Sequence, residues 1–240
     1  MKIKRKQILF ILLALIICIF PFRRKLIRPG AAIIQRIYGM KTIEDRIQQY
    51  GPAARGRLAD DFSRIQISYP PQKILLAAFK QEKILEVWIS AQDNNFKLLK
   101  TYPIKAASGN LGPKLKEGDG QVPEGIYKIE SLNPNSMFHL ALRVSYPNAF
   151  DKSKAASNNV RNLGGDIMIH GKSSSIGCLA MGNEAIEEIF VLAAETGIEN
   201  IELIISPIDF RTKELPSDLP KKPEWLGELY SSIKIELTKL

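Results

Sequence analysis

One cysteine lies outside the N-terminal apolar stretch: Cys178, in the run Ile169-His170-Gly171-Lys172-Ser173-Ser174-Ser175-Ile176-Gly177-Cys178-Leu179-Ala180-Met181. His170 stands eight positions before it. A thiol becomes an effective nucleophile when a neighbouring imidazole takes its proton. Cys178 therefore reads as a candidate nucleophile and His170 as a candidate general base. Gly177 lets backbone N–H groups come close to a substrate carbonyl, as an oxyanion hole requires. Ser175 is placed either to fix this loop by a side-chain hydrogen bond or to touch substrate. An inert thiol buried as a small hydrophobe suits this polar, serine- and glycine-bearing loop poorly.

The elements around this run are mostly strands. Ile74–Lys80 and Ile84–Ser90 are short apolar β-type runs joined by Gln81-Glu82-Lys83, the pattern of a hairpin. Leu98–Ala107 predicts a third strand, ending at the glycine-rich stretch that starts at Ser108. Ile126–Leu132, Leu140–Tyr146, Asp166–His170 and Ile201–Ser206 predict four more. A clear helix comes only after Cys178, with Asn183 as N-cap, an apolar face over Ala185–Ala194 and Gly197 as its stop. Upstream, Thr42 caps a short helix that Gly51-Pro52 should end. A modest amphipathic helix is predicted around Glu224–Leu237. The expected class is mostly β, a sandwich or barrel-like body with a few helices.

Residues 1–28 bear on location. Lys2, Lys4, Arg5 and Lys6 precede an apolar run from Ile8 to Phe22, which Arg23, Arg24 and Lys25 follow. The run is shorter than the roughly 20 residues that span a bilayer comfortably, and no small-residue cleavage site follows it. It reads as a signal anchor or uncleaved signal peptide whose flanking Lys and Arg snorkel to the headgroups. The remaining segments read as a basic stalk at 29–56, a catalytic domain at 57–212 and a tail with a short helix at 213–240. The net charge of +9 suits polyanionic partners, including anionic lipid or an acidic cell wall. Zinc-ligand spacing, an RNA-binding aromatic motif and a helix-turn-helix pattern are all missing, so nucleic acid is not expected. A lone free thiol in an exported chain is a liability unless it is used or well buried.

The run from His170 to Met181 resembles the active-site signature of the L,D-transpeptidase (YkuD-type) catalytic domain. The stretch Gly112 to Tyr127, with Gly118-Asp119-Gly120-Gln121-Val122-Pro123-Glu124-Gly125 at its centre, resembles the family's segment ahead of a core strand. Ser145-Tyr146-Pro147-Asn148-Ala149-Phe150-Asp151 is a third likeness. Together they cover roughly residues 70–212. The short loop between histidine and cysteine is similar to that of a subgroup that includes enzymes detaching an outer-membrane lipoprotein from peptidoglycan. Many family members have histidine where this chain has Ile176, and arginine where it has Ala180.

The resemblance implies ping-pong acyl transfer on peptidoglycan stem peptides in the cell envelope, through a thioester on Cys178. It needs no metal or organic cofactor. His170 would take the thiol proton and return it to the leaving amine, and the Gly171 backbone carbonyl would orient the imidazole. The implied setting is periplasmic, with an inner-membrane anchor. The acceptor is left open between a stem-peptide amine, giving a cross-link, and water, giving an amidase that releases a lipoprotein. His139 matches a position in the subgroup and is a candidate substrate contact, as are Tyr146 and Asn148. A half-buried strand histidine and ordinary Tyr-Pro-Asn turn chemistry account for the same residues. Lys114 and Asp119 either meet substrate charges or lie on a solvated surface. A non-catalytic wall-binding protein is the rival from another class. A papain-like arrangement fits badly because His170 precedes Cys178 by one short loop.

Overall fold

The computed structural model describes residues 39–91, 95–215 and 223–240; the segment 1–28 expected as a membrane anchor lies outside them. Among the described residues no helix is long and apolar enough to cross a membrane. The chain divides into two units, Met1–Lys41 and Thr42–Leu240, and the second carries all the elements below.

The hairpin predicted around Gln81-Glu82-Lys83 forms from β1 (Lys73–Phe79) and β2 (Ile84–Ser90), paired antiparallel with Leu76 opposite Val87. Beyond Lys73 every residue of β1 is buried. Its side chains alternate between two apolar layers, Ile74, Leu76 and Ala78 facing one and Leu75, Ala77 and Phe79 the other. That explains an unbroken apolar run where a strand wet on one face would alternate. On its far side β1 pairs in parallel with β9 (Ile201–Ser206).

Nine strands make one continuous sheet in the order β3-β2-β1-β9-β5-β6-β7-β8-β4. The expected sandwich or barrel is in fact an open half-barrel with β3 and β4 as its edges. β5 (Gly125–Asn133) joins the halves, pairing with β9 through Lys128 and with β6 (Ala141–Val144) from Ile129. A register shift between Ile129 and Ser131 marks a bulge, which bends the strand and lets it serve two neighbours. β7 (Met168–His170) lies antiparallel to β6 and parallel to β8 (Leu179–Ala180).

The strand predicted over Leu98–Ala107 is two strands at opposite edges, β3 (Lys97–Pro103) on β2 and β4 (Ala106–Ala107) on β8. Pro103 has no N–H for the ladder. After it the Ile104 N–H donates to Lys83 O at 2.7 Å and the Lys105 N–H to Ala180 O at 2.8 Å, so the chain crosses from one edge to the other.

Among the described residues four α-helices cover the sheet. Thr42 caps α1 (Ile43–Ile65) through a capping box with Asp45, as predicted, but the helix runs past Gly51-Pro52 instead of ending there. A proline inside a helix costs about 3 kcal/mol. Beyond it Ala54, Leu58, Phe62 and Ile65 are all buried, and each large apolar side chain so buried contributes about 1.5–3 kcal/mol. Burial outweighs the break. α1 packs on α3 (Asn183–Thr196), with Arg57 paired to Glu187 and Glu188. Asn183 opens α3 as a helical residue and does not cap it; its Oδ1 instead accepts the Lys172 N–H at 3.0 Å.

A helix absent from the sequence reading, α2 (Ala149–Ser157), follows Pro147, with Asn148 and Asp151 forming a capping box. The final helix, α4 (Leu226–Leu237), lies on the other face of the sheet, its Leu229, Tyr230 and Ile233 against Leu75, Phe79 and Ile204.

Two expectations follow. Lys80, just after β1, donates to Glu124 Oε1 at 2.9 Å with both side chains almost fully buried. Lys80→Met strands that carboxylate and should cost about 3 to 5 kcal/mol in urea unfolding; a loss under about 1 kcal/mol would show the pair to be dispensable. Burial pushes the Asp151 carboxyl up to about 6, against the opposing Asn148 N–H and Tyr127 hydroxyl. A folded value above the unfolded one of about 3.9 means stability present at low pH and lost as pH rises through about 6. Asp151→Asn keeps an oxygen for the cap and should narrow the stability difference between about pH 4.5 and pH 7.5. An unchanged difference would refute the assignment.

Candidate active site

The register of β7 and β8 places the thiol. Ile169 lies beside Leu179 and His170 beside Ala180, so one step back Cys178 falls next to Met168. Cys178 comes directly before β8, and its thiol is hydrogen-bonded by the Met168 backbone at the start of β7; His170 ends that strand two residues on.

His170 is 3% exposed. Its Nδ1 lies 2.6 Å from the Gly171 carbonyl oxygen, so the ring carries its proton there and leaves Nε2 as an acceptor. Phe138 packs on the ring at 4.6 Å between centroids. The Gly171 N–H donates to Leu140 O and the Met181 N–H to His170 O. A Cβ at Gly171 would stand 2.6 Å from Phe138 O and 2.9 Å from His139 Cβ, so only glycine fits.

Cys178 is half-buried, and its Sγ donates to Asp166 O at 3.6 Å. No hydrogen bond between this thiol and the His170 ring occurs among the described residues. The turn before it is held by two hydroxyls. Ser175 Oγ accepts the Cys178 N–H at 2.9 Å and donates to Cys178 O at 2.6 Å. Gly177, at a left-handed φ of +85°, donates its N–H to Ser108 Oγ at 2.6 Å. Both N–H groups expected at an oxyanion hole are thus engaged. Ser108 was not singled out in the sequence; it lies 69 positions away from Gly177, and no local spacing connects them.

The other candidates have partners of their own. His139 Nε2 is 2.8 Å from Glu187 Oε1, and its ring meets Tyr50 edge-on. Tyr146 is buried with its hydroxyl donating to Leu163 O at 3.3 Å; burial, then Asp151 and Asp119, hold that hydroxyl well above its ordinary range. Asn148 caps α2 and donates from Nδ2 to Ile126 O at 2.9 Å. Lys114 and Asp119 pair with each other at 2.6 Å, and Lys114 is buried rather than solvated. Burial opposes ionisation of Asp119, but Lys114 and three backbone N–H groups hold its carboxyl below the usual range. Among the described residues no cluster of three or more His, Cys, Asp or Glu could hold a metal ion.

Residues 76–200, a little over half of the chain and including both His170 and Cys178, match the L,D-transpeptidase catalytic domain, YkuD. The chain belongs to this family. YafK of Escherichia coli strain K12, named as a candidate L,D-transpeptidase, is 37% identical over 119 residues, covering 49% of this chain and 46% of YafK. The chain thus aligns with about half the length of the curated relative it matches. Among solved structures, the helical cell shape determining protein Pgp2 from Campylobacter jejuni is 22% identical with a TM-score of 0.47, covering 59% of this chain and 50% of Pgp2. Bd1075 from Bdellovibrio bacteriovorus is also 22% identical, with a TM-score of 0.42 and the same coverage of each chain.

An open cleft of about 1050 Å³ borders the segment after His170-Gly171, lined in part by Lys172, Lys105, Arg57 and Lys100 together with Glu184 and Glu188. Arg57 and Lys100 are tied to the buried Glu188. Lys105 and Lys172 bring the lining toward positive charge. The thiol and imidazole themselves are biased to neutrality. Burial pushes the Cys178 thiol up, with Asp166 adding to the shift and a Met168 backbone hydrogen bond opposing it. Burial also pushes the His170 imidazolium down, against its bond to Gly171. Alkylation of Cys178 by iodoacetamide should therefore accelerate with pH past the ordinary thiol value of about 8.5. A rate plateau between about pH 5 and pH 7 would instead reveal a preformed thiolate–imidazolium pair.

Proposed function

We propose that this chain is a cysteine-dependent acyltransferase of peptidoglycan stem peptides, working through a thioester on Cys178. The observation that supports it most is a thiol directly before β8, beside the strand that ends in an Nδ1-anchored imidazole, inside a matched YkuD domain. Because the resting thiol points to Asp166 O, the first event in this reading is rotation of the Cys178 side chain toward His170 Nε2. Sγ then attacks the peptide carbonyl carbon as its proton passes to Nε2. The C–N bond breaks, the leaving amine takes that proton and the thioester remains. An amine or water attacks in turn; its proton goes to His170 and then to the departing thiolate. The carbonyl oxygen is stabilised by the Cys178 N–H, which leaves the Ser175 hydroxyl it holds at rest, while the Gly177 N–H stays on Ser108.

The basic lining of the cleft suits peptides that carry carboxylates. A second reading is an amidase that frees a lipoprotein from peptidoglycan, which shares the first step on Cys178 and differs only in what attacks the thioester. In both readings the chain works in the cell envelope, held at the inner membrane by residues 1–28.

The test is incubation of the full chain with defined tetrapeptide muropeptides and with lipoprotein-linked muropeptides, products being identified by mass spectrometry. D-alanine release with cross-linked dimers is expected. Free lipoprotein, or its terminal-lysine peptide, would select the amidase instead. Cys178→Ala should abolish either product while leaving the melting temperature within a few degrees of the parent. Product formed by that variant would overturn the thioester assignment, and no product from the parent would point to a wall-binding protein.

A further inference from the structure

Cys178 and Gly177 lie just outside the two-residue strand β8, where the ladder has ended. Gly177 has no side chain to anchor it and sits at a left-handed φ. What fixes the turn on that side is Ser108. Its hydroxyl accepts the Gly177 N–H at 2.6 Å and donates to Gly120 O at 2.6 Å, while its own carbonyl accepts the Val122 N–H at 3.3 Å. With the hydroxyl proton committed to Gly120, a lone pair must face Gly177.

The loop on which Ser108 stands is itself rigidly held. Gln121 accepts the Asn110 N–H and donates to Asn110 O and Gly112 O. Gly109 packs so closely on it that a Cβ there would stand 1.9 Å from Gln121 Oε1. Beneath, Lys80 Nζ donates to Gly112 O, Val122 O and Glu124 Oε1. Glu124 in turn accepts the Gly112 N–H and, on its other oxygen, the Tyr230 hydroxyl from α4.

We infer that Ser108 is a positioning residue for the thiol turn: its hydroxyl ties Gly177 to a loop clamped on the sheet floor, and so sets where Cys178 meets the reacting carbonyl. This rests on the acyl-transfer reading, in which small displacements at the thiol are costly to the chemical step and not to binding. The effect of losing that tie therefore falls on kcat and leaves KM alone.

The experiment compares the parent with Ser108→Ala and Ser108→Thr in the full chain, using the muropeptide assay, iodoacetamide alkylation of Cys178 and thermal melting. Ser108→Ala should lower kcat roughly ten- to a hundredfold with KM unchanged and alter the alkylation rate by more than about threefold. Ser108→Thr, which keeps the hydroxyl, should restore both. Parent turnover that survives in Ser108→Ala would overturn the inference while leaving the acyl-transfer reading intact. So would a threonine variant as impaired as the alanine one at equal melting temperature. If the parent itself makes no product, the reading fails, and alkylation then decides the positioning role: an Ala variant alkylated at the parental rate overturns it.

Discussion

A buried lysine–carboxylate pair under a glycine-rich loop governs the geometry of the whole site. Taking both ions out of water costs several kcal/mol each unless every remaining donor and acceptor is met. Lys80 has three N–H donors, and all three have partners: Gly112 O, Val122 O and Glu124 Oε1. Glu124 has the Gly112 N–H and the Tyr230 hydroxyl besides. Burial lowers the Lys80 ammonium's pKa, and Glu124 together with Asp119 works against that shift. A network this complete is tolerated where a partial one would not be. It commits the loop from Gly112 to Glu124 to a single path.

That path matters because the strands nearest the thiol are short. β7 has three residues and β8 two, too few to hold a turn rigidly by ladder bonds alone. The long strands lie in the other half of the sheet, where β1 is buried on both faces and α4 closes one side. The 108–124 loop carries the rigidity of that half across to the Gly177–Cys178 turn, and β5 carries the sheet itself across by its bulge. The site stands at the weaker end of the fold and borrows its order from the stronger.

Much of this frame is readable in the residues. The β1–β2 hairpin, the six-residue β9 and the stop of α3 at Gly197 follow from apolar runs and turn residues, because local pattern and burial agree there. The His170-to-Met181 run supplies a thiol and an imidazole through residue types alone. Where the reading went astray, tertiary packing overrode a local signal. Pro52 is a valid helix stop until Leu58 and Phe62 find α3 to pack on. Asn183 is a valid cap until Lys172 needs its oxygen. α2 is a different case, since Asn148 and Asp151 form a legible capping box that the cis-proline turn before it masked. Ser108 carried no local sign at all: its significance depends on a contact made across the sheet.

The neutrality of the thiol and imidazole follows from the same packing. The chain is strongly basic, yet burial is the leading influence on both Cys178 and His170. In the acyl-transfer reading, a neutral pair charges only when a carbonyl arrives to take the developing negative charge, so the cost of ionisation is met in the transition state rather than before it. That reading needs sulfur, Nε2 and an N–H donor to converge on one carbonyl, and the bond from the Gly177 N–H to Ser108 ties the thiol turn to the clamped loop.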